Sequence, residues 1–406
     1  MKAAILGGGA SGLACAIKLK NLMSDAEITV FEKLPLPGKK ISATGNGRCN
    51  LSNFNMSSDF YNGDKKITDT VINNFSTIEC MRFFSDLGMK LRDEDGRLYP
   101  YSMNANSVRD TLEIELKRLG ITCVTDCKVQ SLDSCENGYI VNKKEHFDTC
   151  VLALGGKAAK AHGTDGDGYK LLKELGIRYE PISPALVQIK TEESFVKDLH
   201  GCRFHGVLFL RDERDTDDTP IKYAEGELLF TEYGISGIPA MQLSGDVARM
   251  TARGEKPKLN ICFTPDLGLS DINNYLGRQI DRYGENCGPE ILYGIMNKKI
   301  AETVFRISDG DINKIALNII SLPLTAIGTN SWNDAQVTRG GVGAEELKDG
   351  SLETKKHENL FICGELLNVD GLCGGYNLHF AWGSGIKVAE EIAEKHGIEI
   401  VREIFD

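Results

Sequence analysis

Short apolar runs that end in glycine-rich turns recur along this chain. The runs cover residues 3–6, 149–154 and 359–363. Segments with helical spacing of apolar residues follow the turns at 13–22, 169–176 and 378–395. Continuous apolar runs of this length, alternating with helices, are typical of buried strands in a parallel sheet. The pattern therefore predicts an α/β fold.

The middle of the chain has a different pattern. Apolar runs near 187–189, 207–210, 227–230 and 258–263 predict strands, with a polar turn at 211–220. From residue 270 to about 320 the spacing becomes helical, and Pro323 ends the last helix. We therefore predict a discontinuous nucleotide-binding domain with a two-part insertion. The predicted domains are residues 1–182 with 326–406, a β-barrel-like domain at 183–268 and a helical subdomain at 269–325.

The first glycine turn, residues 7–12, has the spacing G-x-G-x-x-G between a strand-like run and a helix-like segment. The first glycine permits a tight turn, the second lets a pyrophosphate approach, and the third allows close packing of helix and strand. The helix start adds free N–H groups and the positive end of its dipole. Glu32 lies 20 residues after Gly12 and can accept hydrogen bonds from a ribose diol. Together these features predict a Rossmann-type dinucleotide site, with an unliganded glycine turn as the alternative.

Composition and charge narrow the function classes. The formal net charge of −11 makes nucleic acid and anionic membranes poor partners, which leaves a small-molecule substrate. The 12 cysteines are scattered without a C-x-x-C pair, so we expect no metal site and no disulfide framework. We see no signal peptide and no apolar run of about 18 residues, and therefore expect a cytoplasmic protein.

Two later segments favour FAD over NAD as the dinucleotide. Residues 35–53 form a turn-rich basic loop directly after Glu32, where a flavoprotein loop would run beside the pyrophosphate and flavin. Residues 370–377 place two glycines at a late helix start, which can stabilise a reduced flavin anion. A solvated basic loop is the alternative for the first segment. The GTDGDG stretch at 163–168 also opens a helix, and an ordinary turn is its alternative.

At this point the chain resembles the HI0933-like or BaiN-like flavoprotein family, also known as the aminoacetone-oxidase family. The matching stretches occur in family order over nearly the whole chain: GGGASGL, PGKKISATGNGRCNLSN, ALGGKAAKAHGTDGDGYKLLKELG, LLFTEYGISGIPAMQLS, TRGGV and LFICGELLNVDGLCGGYNLHFAWGSG. The resemblance implies a Rossmann-like FAD-binding domain of the glutathione-reductase/fumarate-reductase type. It also implies an inserted β-rich domain and a small helical subdomain.

The resemblance further implies which residues bind FAD. The pyrophosphate would be held by Gly7, Gly9, Ala10, Ser11 and Gly12. Glu32 would bind the ribose, and Val129, in a strand after Cys127, would contact the adenine. Glu365 would meet the ribityl chain. The flavin ring would be contacted by Gly375, Tyr376 and Asn377. The cofactor channel would be lined by Lys39, Lys40, Arg48, Cys49 and Asn50. The predicted set is completed by Lys33, Gly45, Gly155, Gly364, Asp370 and Gly374.

The candidate catalytic residues are His379, Tyr376 and Arg48. Tyr376 and His379 are neighbours on the late helix, where His379 is either a proton donor or a packed histidine. Arg48 and Arg339 are candidate clamps for a substrate carboxylate, with structural salt bridging as the alternative. Cys49 and Cys373 lack a nearby cysteine in sequence, which favours small buried thiols over redox-active ones.

We therefore expect an FAD-dependent oxidoreductase that transfers hydride between the flavin and a small or medium organic substrate. The substrate pocket is expected between the FAD domain and the insertion. No second G-x-G-x-x-G follows a strand, so NAD(P)H would dock transiently or another reductase would reduce the flavin. A non-catalytic flavin-binding redox sensor or electron-relay protein is the alternative. Flavin-dependent RNA modification is disfavoured by the net charge and the lack of a basic stripe.

Overall fold

The computed structural model describes residues 1–212, 219–284 and 286–401. The chain divides into two units: unit 1 contains Met1–Ile182 and the chain from Val337, and unit 2 is Ser183–Gln336. The strands of residues 1–185 are β1 (Lys2–Leu6), β2 (Glu27–Phe31), β3 (Ser52–Asn53), β4 (Tyr61–Gly63), β5 (Leu91–Glu94), β6 (Arg97–Pro100), β7 (Thr122–Val124), β8 (Leu132–Cys135), β9 (Gly138–Val141), β10 (Glu145–Phe147), β11 (Thr149–Leu152) and β12 (Glu180–Ala185). The helices of this part are α1 (Ala10–Leu22), α2 (Lys65–Ile72), α3 (Thr77–Asp86), α4 (Ala105–Arg118) and α5 (Asp167–Glu174).

Unit 2 and the return to unit 1 supply the remaining elements. The strands of unit 2 are β13 (Ile189–Thr191), β14 (Arg203–Arg211), β15 (Lys222–Thr231), β16 (Gly234–Gly237), β17 (Lys258–Cys262) and β18 (Leu322–Thr329). Its helices are α6 (Ile238–Ala252), α7 (Leu269–Tyr283), α8 (Lys298–Ile307) and α9 (Ile312–Ser321). Unit 1 resumes with β19 (Val337–Gly341), β20 (Leu360–Ile362), β21 (Val369–Gly371) and α10 (Tyr376–Lys395).

A five-stranded parallel sheet forms the centre of unit 1, with the order β20-β11-β1-β2-β7. β1 lies in the middle, and its residues from Ala3 to Leu6 have no exposed surface. This burial explains why the strand is a continuous apolar run rather than an alternating one. Because the strands are parallel, their carboxyl ends meet at one edge of the sheet. The glycine turns after β1, β11 and β20 are therefore brought together there.

Helices α1 and α10 pack against each other with very little space between their backbones. A Cβ atom added to Gly385 of α10 would lie 2.1 Å from the Ser11 carbonyl oxygen at the start of α1. Most of the first helix is buried, and its inner positions are small residues such as Ala14 and Ala16. Small residues let two helix backbones approach closely, so the middle of α10, at Gly385, lies beside the start of α1.

Unit 2 contains a closed antiparallel barrel with the strand order β13-β16-β15-β14-β17-β18. Its core contains Leu208, Leu228 and Ile261, and the core continues into the helices, where Ile272 and Leu276 of α7 are fully buried. The predicted combination of a Rossmann-like domain, an inserted β-rich domain and helices is confirmed. Residues 213–218 of the predicted polar turn lie outside the described residues.

Three details differ from the sequence-based predictions. Residues 326–336, assigned above to the nucleotide domain, belong to unit 2 because β18 completes the barrel. Helix α6 was missed because Gly237, Pro239 and Gly245 suggest turns, although proline suits the first helical turn. The strand predicted for Val129 is wrong: β7 ends at Val124, and Val129 lies in an irregular segment. None of the helices in the described ranges is both long and apolar enough to cross a bilayer.

Candidate cofactor site

The first glycine turn has the geometry that a pyrophosphate needs. A Cβ atom on Gly12 would lie 2.0 Å from the Gly7 carbonyl oxygen, so only glycine fits where the helix meets the turn. At Gly9, by contrast, an added Cβ would meet nothing within 4 Å, which leaves the backbone open at the start of α1. The turn is therefore tightly packed at Gly12, while no side chain covers the backbone at Gly9. An anion bound at a helix start requires such an open backbone.

Glu32 lies at the end of β2 and is fixed by two backbone donors. Its carboxylate accepts hydrogen bonds from the N–H of Gly8 at 3.1 Å and from the N–H of Leu34 at 2.8 Å. Burial raises the pKa of Glu32, while these two N–H groups and Lys33 oppose the rise. A carboxylate has about four acceptor positions. Glu32 can therefore keep both backbone contacts and still accept a hydrogen bond from a ribose hydroxyl.

Lys40 and Glu365, predicted from segments 325 residues apart, form an ion pair of 2.8 Å. The other carboxylate oxygen of Glu365 accepts the N–H of Thr338 at 2.7 Å. The hydroxyl of Thr338 in turn accepts the N–H of Lys157 at 2.8 Å. Thr338 is a site residue that the sequence interpretation missed, although it lies in the TRGGV stretch. These contacts bring the basic loop, the turn after β11 and the late acidic residue together.

The glycines at the carboxyl ends of β11 and β20 lie at the same edge of the sheet. Gly155 follows β11, and Gly364 follows β20 with a left-handed φ of +72°. A Cβ on Gly364 would lie 2.4 Å from the hydroxyl oxygen of Ser11 in the first glycine turn. The N–H of Gly364 donates to the Ser384 hydroxyl of α10 at 2.9 Å. Two predicted cofactor segments thus meet directly.

The late helix start is crowded by the 45–53 loop. Gly375 is the residue before α10, and a Cβ there would lie 2.6 Å from both the Asn50 amide oxygen and the Ser52 carbonyl oxygen. Gly45 packs on the Asn50 backbone, and Asn53 donates to the Gly374 carbonyl at 2.9 Å. The buried amide oxygen of Asn50 has no hydrogen-bond partner among the described residues. An acceptor left free beside a helix start fits a ligand that carries an N–H group, as the flavin ring does.

Two residues predicted to contact the cofactor have side chains committed elsewhere. The amide of Asn377 accepts the N–H of Gly371 at 2.8 Å and donates to its carbonyl at 2.7 Å, which closes the turn before α10. Asp370 pairs with Arg339 at 3.0 Å, and both side chains are only 2% exposed. Asn62 also donates to Asp370 at 3.1 Å. The side chains of Asn377 and Asp370 therefore hold the backbone of the site in place. A contact of either residue with the cofactor stays a prediction, and it would be made by backbone atoms.

The three candidate catalytic residues have very different surroundings. His379 is fully buried, with Nδ1 2.8 Å from the Ser52 hydroxyl and Nε2 2.8 Å from the Phe75 carbonyl. Burial lowers the pKa of His379 to about 4, opposed by the contact with Phe75. A neutral ring with both nitrogens bonded favours the packed-histidine alternative over a proton donor.

Tyr376 and Arg48 differ in how far their polar groups can reach. The Tyr376 hydroxyl donates to the Asn55 carbonyl at 3.2 Å, and its ring stacks on Phe60 with centroids 4.9 Å apart. Arg48 is 46% exposed, with a 3.6 Å contact to Glu94 and its guanidinium 5.2 Å from the centre of the Tyr99 ring. Of the three candidates, Arg48 is the one whose charge can reach a ligand without breaking a buried contact.

Three further residues of the predicted cofactor-binding set are Lys33, Val129 and Lys39. Lys33 forms ion pairs with Asp165 at 2.7 Å and Asp167 at 3.0 Å, which joins the loop after β2 to the start of α5. Val129 is buried in the segment after β7. Lys39 is exposed and lines a cavity of about 300 Å³ together with Arg109 and His162.

Of the two cysteines singled out in the sequence, Cys49 is buried and Cys373 is half-buried. Burial raises the pKa of Cys49 to about 12, although Thr44 opposes the rise, and it raises the pKa of Cys373 to about 11. Thiols with such pKa values remain protonated at neutral pH and react slowly. This environment favours a packing role for both residues.

Comparisons with known proteins identify the family of this chain. The family model described as the HI0933-like protein Rossmann domain matches residues 1–391. A 3-dehydro-bile acid delta(4,6)-reductase of Clostridium scindens is 34% identical over 96% of this chain and 98% of its own length. A ribosomal RNA dihydrouridine synthase of Escherichia coli is 24% identical, with 96% of this chain and 97% of the relative covered.

A solved structure of Escherichia coli quinol fumarate reductase is also similar in outline. It has a TM-score of 0.49 and 15% identity, with 98% of this chain and 71% of that chain covered. The family match over nearly the whole chain and the relative of 34% identity establish the family. The glycine turn, Glu32 and the free acceptor of Asn50 fit FAD as its cofactor. This chain therefore belongs to the HI0933-like family of FAD-binding oxidoreductases.

Proposed function

We propose that this flavoprotein reduces a carbon–carbon double bond conjugated to a carbonyl group in a small or medium organic substrate. The observation that carries the proposal is 34% identity, over 96% of the chain, to a reductase named for the 4,6-diene of a 3-dehydro bile acid. The relatives named for dihydrouridine synthesis also act on such a bond, because the uracil double bond is conjugated to a carbonyl. Relatives with different substrates thus share one type of reacting bond.

The reaction adds two electrons and two protons across the double bond. When bound and reduced, the flavin would supply a hydride to the electron-poor carbon and would itself become oxidised FAD, and a proton would add to the neighbouring carbon. We propose NADH or NADPH as the source of electrons. This chain's residues would hold the cofactor through the turn at 7–12, Glu32, Lys40 and Glu365. The conjugated carbonyl must be bound so that the negative charge developing on its oxygen is stabilised.

We propose that Arg48 binds this carbonyl oxygen. Its guanidinium is exposed, lies on the loop that leads to Asn50, and is paired with Glu94 only at 3.6 Å. An arginine stays charged at all relevant pH values and offers several N–H donors. His379, with both ring nitrogens bonded, and Tyr376, with its hydroxyl bonded to Asn55, act in this proposal as positioning residues of the late helix start.

The test of the function uses the FAD-loaded protein under anaerobic conditions. Flavin absorbance at about 450 nm is followed by stopped flow after addition of NADH or NADPH. Reduction of the flavin should lower this absorbance. The reduced protein is then mixed with a 3-oxo-4-ene steroid, a 3-oxo-4,6-diene steroid, or the saturated ketone as a matched control. We expect reoxidation by an unsaturated ketone and none by the saturated one. If the flavin is fully reduced but neither unsaturated ketone reoxidises it, the proposal is refuted and the redox-sensor alternative is favoured.

The role of Arg48 is tested with Arg48→Met and the matched control Arg92→Met. Arg92 pairs with the same Glu94 at 3.3 Å and is 42% exposed, so its loss disturbs the same carboxylate. We expect Arg48→Met to lower kcat/KM about 100-fold through lost stabilisation of the carbonyl oxygen, measured with the variant fully loaded with FAD. Arg92→Met should stay close to wild type. Equal effects of both variants would show that only the contact with Glu94 matters.

A second candidate is reduction of uridine in RNA, favoured by the relatives of 24% and 23% identity named as ribosomal RNA dihydrouridine synthases. The net charge of −11 opposes it, because RNA binding draws on clustered positive charge. The discriminating experiment incubates the loaded protein with NADPH and an unmodified ribosomal RNA transcript. Mass spectrometry of the nucleosides would reveal uridines that have gained two hydrogens. Such a product without turnover of the ketones would replace the first candidate.

A further inference from the structure

Three chain segments meet at the adenine end of the cofactor site. The loop after β2 and the segment after β7 are joined by backbone hydrogen bonds from Glu32 N–H to the Val124 carbonyl and from Cys127 N–H to the Glu32 carbonyl, both 2.9 Å. The turn before α5 lies against the same loop, since a Cβ on Gly163 would be 2.7 Å from the Leu34 side chain. The first two segments carry Glu32 and Val129, the expected adenosine contacts.

Four charged side chains tie these three segments together; we call Lys33, Lys128, Asp165 and Asp167 the adenine clasp. Lys33 contacts Asp165 at 2.7 Å and Asp167 at 3.0 Å, while Lys128 contacts the other oxygen of Asp167 at 2.7 Å. Lys33 thus bridges two aspartates, and Asp167 bridges two lysines. Each of the three segments contributes at least one charge.

The electrostatics show that these contacts are more than surface pairs. The side chains of Asp167 and Lys33 are only 13% and 22% exposed. Burial acts to raise the pKa of Asp167, but hydrogen bonds with Asp165, Lys128 and Lys33 hold it well below its usual range. Burial likewise acts to lower the pKa of Lys33, and its contacts with Asp165 and Asp167 raise it above the usual value. Partly buried pairs of this kind are screened less by salt than exposed ones.

The turn before α5 needs such a tether. Gly163 and Gly166 both have left-handed backbone conformations, and glycine is the residue with the largest freedom to lose on folding. The residue before α5 is Gly166, so no side chain caps this helix start. The carboxylates of Asp165 and Asp167 instead fix the turn through the two lysines. A turn held in this way keeps the segments around Glu32 and Val129 in one arrangement before any ligand binds.

We propose that the adenine clasp pre-organises the adenosine half of the FAD site and thereby sets how tightly the cofactor is retained. The four residues are positioning residues and touch no reacting atom. The proposal depends on the assignment of FAD and not on the identity of the substrate. Binding to a site that is already ordered saves the cost of ordering it. Loss of the clasp should therefore weaken every ligand that contains the adenosine half and leave other ligands unaffected.

The test measures binding to the full-length apoprotein rather than activity. The variants are Lys33→Met, Asp167→Asn and the double variant, with FAD, ADP and FMN as three separate probes. ADP carries the adenosine half without flavin, and FMN carries flavin without adenosine. We expect each single variant to raise the Kd of FAD and of ADP about tenfold, and the Kd of FMN to stay unchanged. Because the two single variants share the loss of the Lys33–Asp167 contact, the double variant should raise the Kd of FAD more than either single variant but by less than the product of the two single effects.

Two controls keep the outcome interpretable. Lys117→Met removes a lysine from the exposed pair with Glu113 at 2.7 Å and should leave all three Kd values unchanged. Lys33→Arg keeps the charge and should bind FAD nearly as tightly as wild type, which separates the clasp from a general loss of folding. If Lys33→Met weakens FAD while Asp167→Asn does not, Lys33 contacts the cofactor directly and the clasp is refuted. Unchanged ADP binding in both single variants, or equal weakening of FMN, would refute it as well.

Discussion

The buried histidine of the late helix predicts a specific loss of stability in acid. His379 has no exposed surface, and the Phe75 carbonyl can only accept a hydrogen bond, so Nε2 carries the proton. Nδ1 then accepts from the Ser52 hydroxyl, which fixes a single neutral tautomer. Burial lowers the pKa from 6.5 to about 4 in the folded chain. Between these two pH values the unfolded chain binds a proton that the folded chain does not.

The direction and size of the effect follow from that difference. The stability linked to His379 is fully present above pH 6.5 and is lost as the pH falls toward 4. One pKa unit corresponds to about 1.4 kcal/mol, so the loss attributable to this ring is about 3 kcal/mol. Carboxylates titrate in the same range, and a variant that lacks the imidazole is needed to isolate the contribution of His379.

The assay compares wild type with His379→Gln by urea unfolding at pH 7, 6, 5 and 4. Glutamine retains a donor and an acceptor but does not titrate in this range. We expect the free energy of unfolding of the variant to be lower at pH 7. The difference between wild type and variant should shrink by about 3 kcal/mol as the pH falls to 4. A difference that stays constant across this range would refute the conclusion that the ring is buried and neutral.

Three further outcomes test the packing of unit 1. Arg339→Met leaves Asp370 buried without its cation and should cost about 3–5 kcal/mol in urea unfolding, while Arg339→Met combined with Asp370→Leu should recover much of the loss. Gly385→Ala places a Cβ 2.1 Å from a backbone oxygen of α1 and should lower both FAD retention and Tm, whereas Gly277→Ala, with open space in α7, should be neutral or stabilising. Burial raises the pKa of Cys49 to about 12, so the native protein should resist alkylation of this thiol by iodoacetamide at pH 8. Rapid alkylation of Cys49, detected by mass spectrometry, would contradict a buried thiol with a raised pKa.

Much of the fold was predictable from local patterns. The apolar runs of β1 and β2, the glycine spacing at 7–12 and the position of Glu32 predicted a dinucleotide-binding unit because each signal lies within a short stretch of chain. The resemblance to the HI0933-like family extended this to FAD and to the inserted domain. The barrel boundary was less accessible, since β18 follows a helical region and its pairing with β13 and β17 is visible only in space.

The individual roles of side chains at the site depended on tertiary structure. The sequence named His379, Lys40, Glu365 and Asp370 as candidates, but not their partners. Lys40 and Glu365 are 325 residues apart in sequence and 2.8 Å apart in space, because the loop after β2 and the end of β20 meet at one edge of the parallel sheet. Burial decided that His379 is neutral, a property that its spacing on a helix does not reveal. By itself the sequence determined the strands and glycine turns of the Rossmann-type unit and predicted where its backbone approaches a cofactor, since glycine spacing and apolar runs are local. Only the tertiary structure decided which charges are buried in pairs, like Arg339 and Asp370, and which, like Arg48, remain exposed, since pairing and burial depend on long-range proximity.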